Sequence, residues 1–384
     1  MKPLEQYNGF EQGPIRPPSE ADSLLVRITR NCPWNRCTFC GLYKNSKFSL
    51  RPVDHVLRDI DTVRFYTDAI DSARKSGTAI SERELSRLSP DGGEGDIQAL
   101  HAAYHFLANG MKSIFLQDGN SLIIKPDDII RILRHLKEAF PQVERITSYA
   151  RSHTIARISD ENLSRMVGAG LNRVHIGMES GSDKILKRVK KGSDKATQIV
   201  AGQKVKRAGI ELSEYFMPGL GGKTLSRENG LETADALNQI NPDFIRLRTL
   251  ALPSAAPLTE QFERGDFDKM GEVDTARELL VWLEELSGIT STIRSDHVLN
   301  LFPEVDGVLP GDKKEMMQPV QDFLDLPLEE QMIFCIGRRT QRIARFSDLK
   351  NPVLHDSSRR MCAELGATIT NFDKVIDTIM QRFI

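Results

Sequence analysis

The stretch Leu24-Leu25-Val26-Arg27-Ile28-Thr29-Arg30-Asn31-Cys32-Pro33-Trp34-Asn35-Arg36-Cys37-Thr38-Phe39-Cys40 sets an alternating apolar run directly before three cysteines. The alternation has the period of a strand. Three thiols in one short loop are a metal-site signature. Structural zinc takes four ligands, and an electron-carrying cubane takes four thiolates. Three protein ligands leave one metal position open, which is where chemistry occurs. Zinc finds no fourth ligand close by, since the nearest histidine is His55 and the other cysteines are Cys335 and Cys362. A redox pair of Cys37 and Cys40 leaves Cys32 without a task.

Outward from this loop, strand-like and helix-like segments alternate. Strands are expected at 24–29, 113–117, 145–149, 173–178, 211–217 and 244–249. Helices are expected at 53–75, 98–109, 127–139, 160–169, 194–208 and 227–240. Gly110, Gly170 and Gly209 stand where helix C-terminal caps belong, and Asn241-Pro242 ends another helix. Lys125-Pro126-Asp127-Asp128 opens a helix with proline in its first turn and acids near its positive end. Such repeats imply parallel strands with right-handed crossovers, in a doubly wound sheet or a partial β/α barrel. Ligands of both gather at the C-terminal strand ends, and the cysteine loop lies at that end of strand one.

Residues 1–22 are expected as an extended arm, 23–260 as the core and 261–384 as a smaller helical region, with helices at 272–288, 327–347 and within 356–384. Residues 76–97, around Asp91-Gly92-Gly93-Glu94-Gly95, read as a long insertion, either a lid or a surface loop. The chain of 384 residues is 40% hydrophobic, enough for a substantial core. Lys+Arg total 52 against Asp+Glu 53, so no polyanion-binding surface is implied and nothing in the charge total indicates a nucleic acid. Five cysteines, an odd number with three of them clustered, argue against a secreted disulfide framework. With no signal-like start and no run long enough for a membrane span, a cytoplasmic location is expected.

The cysteine loop resembles that of radical S-adenosylmethionine (SAM) enzymes, which have three cysteines after strand one. Their usual spacing is C-x3-C-x2-C; here it is Cys32-x4-Cys37-x2-Cys40, with the aromatic Phe39 before the last thiol. Ile114-Phe115-Leu116-Gln117-Asp118-Gly119-Asn120 stands where that family has a Gly-rich turn at the SAM amino group. Val174-His175-Ile176-Gly177-Met178-Glu179-Ser180-Gly181-Ser182 resembles the fourth-strand segment of the subgroup with oxygen-independent coproporphyrinogen oxidases, Elp-type proteins and methylthiotransferases. Tyr215-Phe216-Met217-Pro218-Gly219-Leu220-Gly221-Gly222 resembles the segment near adenine.

The resemblance covers about residues 20–260. It implies an α/β fold, a partial (β/α)6 TIM-type barrel with a smaller helical C-terminal region. It implies a [4Fe–4S] cluster on Cys32, Cys37 and Cys40, and SAM near Phe39, Gln117, Asp118, Gly119, Glu179 and Ser180, with Glu179 at the ribose hydroxyls. It further implies reductive cleavage of SAM to a 5′-deoxyadenosyl radical that removes hydrogen from a substrate. A flavodoxin- or ferredoxin-like electron donor follows from that chemistry. Arg36 and Lys44, flanking the ligands, are candidates to tune the cluster potential.

The strands are not apolar on both faces. Arg27, Arg173, His175, Glu179, Arg246 and Arg248 share the polar parity of their strands. With helices outside, that face lines a lumen, and charges there mark an active-site cavity. One of Arg246 and Arg248 offers a clamp for the SAM carboxylate; the second points to a small anionic substrate. Internal pairing with Glu211 or Glu214 is the alternative. His175 alone reads as a core histidine. Lys184, Lys187, Arg188, Lys190 and Lys191 read as a solvated helix face. The segment Thr292-Ile293-Arg294-Ser295-Asp296-His297-Val298-Leu299-Asn300 reads as a connector, or as a closure that helps choose substrate. No auxiliary cluster, cobalamin-binding domain or acetyltransferase domain is expected. The rival from another class is an iron–sulfur electron carrier or cluster protein without SAM chemistry.

Overall fold

The opening alternation becomes β1 (Leu24–Arg27), with Leu24, Leu25 and Val26 buried. The computed structural model describes residues 5–77, 81–90 and 95–381. Its further strands are β2 (Thr29–Arg30), β3 (Ser49–Leu50), β4 (Ser113–Gln117), β5 (Arg145–Ala150), β6 (Arg173–Glu179), β7 (Glu211–Phe216), β8 (Phe244–Leu247), β9 (Thr292–Arg294) and β10 (Gly307–Val308). The class is α/β, with parallel strands alternating with helices in the order of a partial (β/α)6 core. The chain divides into two compact units. Met1–Pro33, Asn45–Ile176 and Lys204–Glu211 form the first; Trp34–Lys44, Gly177–Gln203 and Leu212–Ile384 form the second.

In the first unit β1 pairs with β4, β4 with β5 and β5 with β6, all parallel. Helices Val53–Ser76, Ile97–Ala108, Pro126–Ala139 and Asp160–Gly168 return the chain. Pro126–Ala139 shows why they form. Pro126 occupies the first turn with Asp127 and Asp128, and Ile129, Ile130, Ile132, Leu133 and Leu136 fall on one buried face. Residues 5–20 lie on this unit. Phe10 and Glu20 are buried, and the Tyr7 hydroxyl donates to Asp59 at 2.9 Å. Within the insertion, Glu82–Leu85 forms a short helix capped by Ser81; residues 91–94 of the Asp91–Gly95 motif lie outside the described residues.

In the second unit β7, β8 and β9 are parallel, and β10 runs antiparallel to β9. β9 lies in the stretch read as a connector; three residues are too short for a periodic signal. The later region is mostly helical: Glu272–Glu285, Lys313–Leu324, Leu328–Arg339, Pro352–Glu364 and Phe372–Met380. The helix expected over 327–347 ends at Arg339. Lys313–Leu324 escaped the reading because Pro319 sits inside it. Ile185, Val189, Leu220, Leu250, Leu252, Leu258 and Phe267 make one core cluster, and Phe39, Met217 and Leu225 pack on it. Phe216 packs against Trp282 with ring centroids 4.9 Å apart. Among the described residues no helix is long and apolar enough to cross a membrane.

Glu278 fastens Glu272–Glu285 to the turn after β7. Its carboxyl accepts from the Gly219 N–H and the Asn229 amide, both at 2.8 Å. Burial pushes this group up from 4.5 to about 7. The folded state therefore favours the protonated form, and stability falls as pH rises from about 4.5 through 7. The loss from this group is on the order of 3 kcal/mol. Glu278→Gln, which keeps an acceptor without the charge, is expected to flatten that slope. Urea unfolding at pH 5 and pH 8 checks this: the variant should gain on the wild type at the higher pH.

Candidate active site

On the first unit the predicted residues collect where β4 ends. Gln117 is fully buried, and its side chain is engaged by the N-terminal segment. Its Oε1 accepts from the Gly13 N–H at 2.8 Å, while its Nε2 donates to the carbonyls of Gly13 (3.1 Å) and Ile15. Asp118 is also fully buried. Its Oδ2 accepts from Arg27 Nε at 2.9 Å and Nη2 at 2.8 Å, and from the Asn31 N–H at 3.0 Å. Its Oδ1 has no hydrogen-bond partner among the described residues. Gly119 continues the turn, and Asn120 braces it by accepting from the Arg151 N–H at 3.1 Å. Cys32 is partly exposed.

The polar face of this unit corrects the expectation of a cavity lined by unmatched charge. Arg27 pairs with Asp118 and, at 3.6 Å, with Glu11. His175 is buried with its Nε2 against Glu20 at 3.1 Å, the core histidine of the plainer reading. Burial works against the Glu20 charge, yet the His175 hydrogen bond and Ser23 hold its carboxyl below the usual range. Arg173 pairs with Glu211 at 2.8 Å. Glu211 is one of the two internal partners expected from the sequence, whereas Asp118, Glu11 and Glu20 were not visible as strand alternation.

On the second unit, residues 34–44 are pinned around Cys37 and Cys40, both partly exposed. The Thr38 N–H donates to Val189 O at 2.9 Å, and Trp34 Nε1 donates to Lys190 O at 2.7 Å. Phe39 seats this loop on the core, and Lys191 stands 5.6 Å from its ring centroid. Lys191 is not the solvated residue expected: it is buried and pairs with Glu179 Oε1 at 3.0 Å. Glu179 has φ +67, a left-handed conformation that is uncommon without glycine. Such strain concentrates at functional positions. Gly177 makes room for it, since a Cβ there would stand 2.3 Å from Glu179 Oε1. The Ser180 hydroxyl accepts from the Ser182 N–H and so serves the turn.

Arg246 and Arg248 do pair internally, but with a residue not foreseen. Asp296 takes Arg246 Nη1 on Oδ2 and Arg248 Nη1 on Oδ1, the latter at 3.1 Å. Arg246 also donates to Ser213 at 3.2 Å, and Arg248 lies over the Tyr215 ring. Arg248 Nη2 is buried without a partner among the described residues. Asn300 ties the same stretch to the end of β8, accepting from Thr249 at 3.1 Å. His297 is pushed down to about 4 by burial and the Arg248 charge, so it is neutral near pH 7. Glu214 pairs with neither arginine; it alternates to the opposite face of β7, where burial raises it well above the carboxylate range. The acid in 292–300 was the available signal for Asp296.

The thiol donors suit an iron cluster better than zinc. All five cysteines are thiols, and the three of the loop are partly exposed. Burial pushes Cys362 up to about 11 and Cys335 further, so neither supplies a thiolate.

Residues 95–234 match the radical SAM superfamily model. That segment contains Gln117, Asp118, Gly119, Glu179 and Ser180 and begins after the cysteine loop. The chain is 24% identical over 163 residues to tRNA uridine(34) acetyltransferase of Methanocaldococcus infernus, covering 41% of this chain and 30% of the relative. It is 26% identical over 235 residues to anaerobilin synthase of Escherichia coli, covering 60% and 43%. It thus spans less than half the length of either relative. Coproporphyrinogen III oxidase from Escherichia coli is similar in structure with a TM-score of 0.45 at 13% identity, over 94% of this chain and 90% of that one. The cofactors are a [4Fe–4S] cluster and SAM, and the reading as a carrier without SAM chemistry falls away. The chain carries a radical SAM domain and is an enzyme of that class.

Proposed function

We propose that Asp118 is the acceptor for the amino group of SAM, that Glu179 binds its ribose hydroxyls, and that Cys32, Cys37 and Cys40 are the three thiolates of the cluster. The observation that carries this is the Asp118 carboxylate, with one oxygen committed and the other buried without a partner. An ionised carboxylate only accepts hydrogen bonds, and leaving a buried acceptor unmade is costly. An ammonium group is its natural complement.

Held at these residues, the cluster and SAM would supply the radical chemistry of hydrogen abstraction. The chain's residues fix positions. Arg27 holds Asp118 by two hydrogen bonds to one oxygen. Lys191 holds Glu179, and Phe39 anchors the loop of Cys37 and Cys40. Gln117 and Gly119 shape the Asp118 turn, and Ser180 the turn after Glu179. Asp296 consumes most of the charge of Arg246 and Arg248, so Arg246 serves as scaffold. Arg248 Nη2, buried and unmatched, fits an acceptor on the ligand, which favours a small substrate with a carboxylate or phosphate. A flavodoxin- or ferredoxin-like protein supplies one electron per cleavage.

Anaerobic reconstitution is expected to load about four irons per chain, and Cys32→Ala, Cys37→Ala and Cys40→Ala should each lose most of that iron. With dithionite and SAM the wild type should form 5′-deoxyadenosine. Asp118→Asn should raise the KM for SAM by about tenfold or more while iron content stays. Wild-type iron in Cys32→Ala, or no deoxyadenosine from the loaded wild type, would contradict the assignment. Asp296→Asn leaves two largely buried guanidinium groups without a counter-ion and is expected to lose about 3 kcal/mol in urea unfolding.

A further inference from the structure

We propose that residues 11–16 form a gate over Asp118, and that SAM reaches this carboxylate only after the gate lifts. The inference rests on Asp118 as the acceptor for the ligand's amino group. It adds what covers that acceptor and what opens it.

Asp118 is fully buried, so its unmatched Oδ1 cannot meet a ligand while every neighbour stays in place. The covering residue is Gly13. A Cβ built on it would stand 2.0 Å from Asp118 Oδ1. The segment crosses the site with its backbone, and glycine is what permits so close an approach.

The contacts that hold the gate are polar. Gln117 clasps both the N–H and the carbonyl of Gly13 and takes the carbonyl of Ile15. Glu11 makes paired hydrogen bonds to Arg30 at 2.8 Å and 2.5 Å. The Arg30 hydrogen bond, first among several arginine contacts, holds the Glu11 carboxyl below its usual range. Gln12 and Pro14 are exposed, so little apolar area is lost when the span moves. Water can replace the polar contacts at small net cost.

Both ends of the span are fixed. Phe10 is buried, and its N–H donates to Asp96 at 2.6 Å. Pro17 is buried, and Glu20 is buried against His175. Residues 11–16 can therefore open locally while their flanks hold, which is the behaviour of a low-stability segment between anchored ones. Opening also releases the Gln117 amide beside Asp118, freeing a donor and an acceptor for the ligand's amino-acid end.

The test is hydrogen–deuterium exchange on the full-length, cluster-loaded protein, with SAM and, as a probe lacking the amino-acid group, 5′-deoxyadenosine. SAM is expected to speed exchange in residues 11–16 by about tenfold or more while slowing it in residues 113–120; 5′-deoxyadenosine should leave residues 11–16 unchanged. Glu11→Gln should loosen the segment without ligand and speed SAM association several-fold. Gly13→Ala, whose methyl meets Asp118, should hold the gate ajar by an independent route. The gate is overturned if SAM binds by equilibrium dialysis while residues 11–16 stay unchanged or become protected. It is equally overturned if both variants loosen the segment without altering the association rate. A wild type that binds no SAM overturns the Asp118 assignment, and the gate with it.

Discussion

Arg27 grips a single oxygen of Asp118, and the rest of the site in the first unit follows from that contact. A guanidinium placing two nitrogens on one oxygen ties the end of β1 to the end of β4, next to the strand pairing of Arg27 with Gln117. It fixes the carboxylate in one orientation and satisfies only half of it. A buried carboxylate oxygen left open is unusual, because such groups are nearly always paired in folded proteins. The surrounding charges are balanced with care: Glu11 with Arg30, Asp59 with Arg51 at 2.6 Å, Glu20 with His175.

The second unit repeats the logic with different residues. Lys191 and the space at Gly177 hold Glu179 in a conformation its backbone would otherwise avoid. Asp296 gathers Arg246 and Arg248 into one cluster and leaves one guanidinium nitrogen over. In both units the matched charges build the frame, and Asp118 Oδ1 and Arg248 Nη2 are left for a ligand to meet. Paired charges in a partly buried setting add little net stability themselves; their value here is positional.

Much of this was legible in the sequence. The strands carried a period-two pattern, and glycines or Asn241 marked the helix ends. Ser113–Gln117 forms where the alternation put it, and Gly110, Gly170 and Gly209 all adopt positive φ. The cysteine loop and the segments ending in Asp118 and Glu179 were visible as motifs. What periodicity cannot carry is pairing between distant segments. Asp296 lies far along the chain from Arg248, Glu20 from His175, and Gly13 from Asp118, so nothing local announced them. Lys191 looked like one of several surface lysines because its fate depends on Glu179 across a turn. β9 was too short to show a pattern, and Pro319 disguised a helix.

The central claim is that SAM binds at a three-cysteine cluster with Asp118 receiving its amino group. The most direct measurement is the electron paramagnetic resonance spectrum of the dithionite-reduced, cluster-loaded protein, with and without SAM, for the wild type and Asp118→Asn. The account predicts that SAM shifts the wild-type spectrum and that the variant needs much more SAM for the same shift. A wild-type spectrum that saturating SAM leaves unchanged, or a variant that responds at the same SAM concentration, would contradict it.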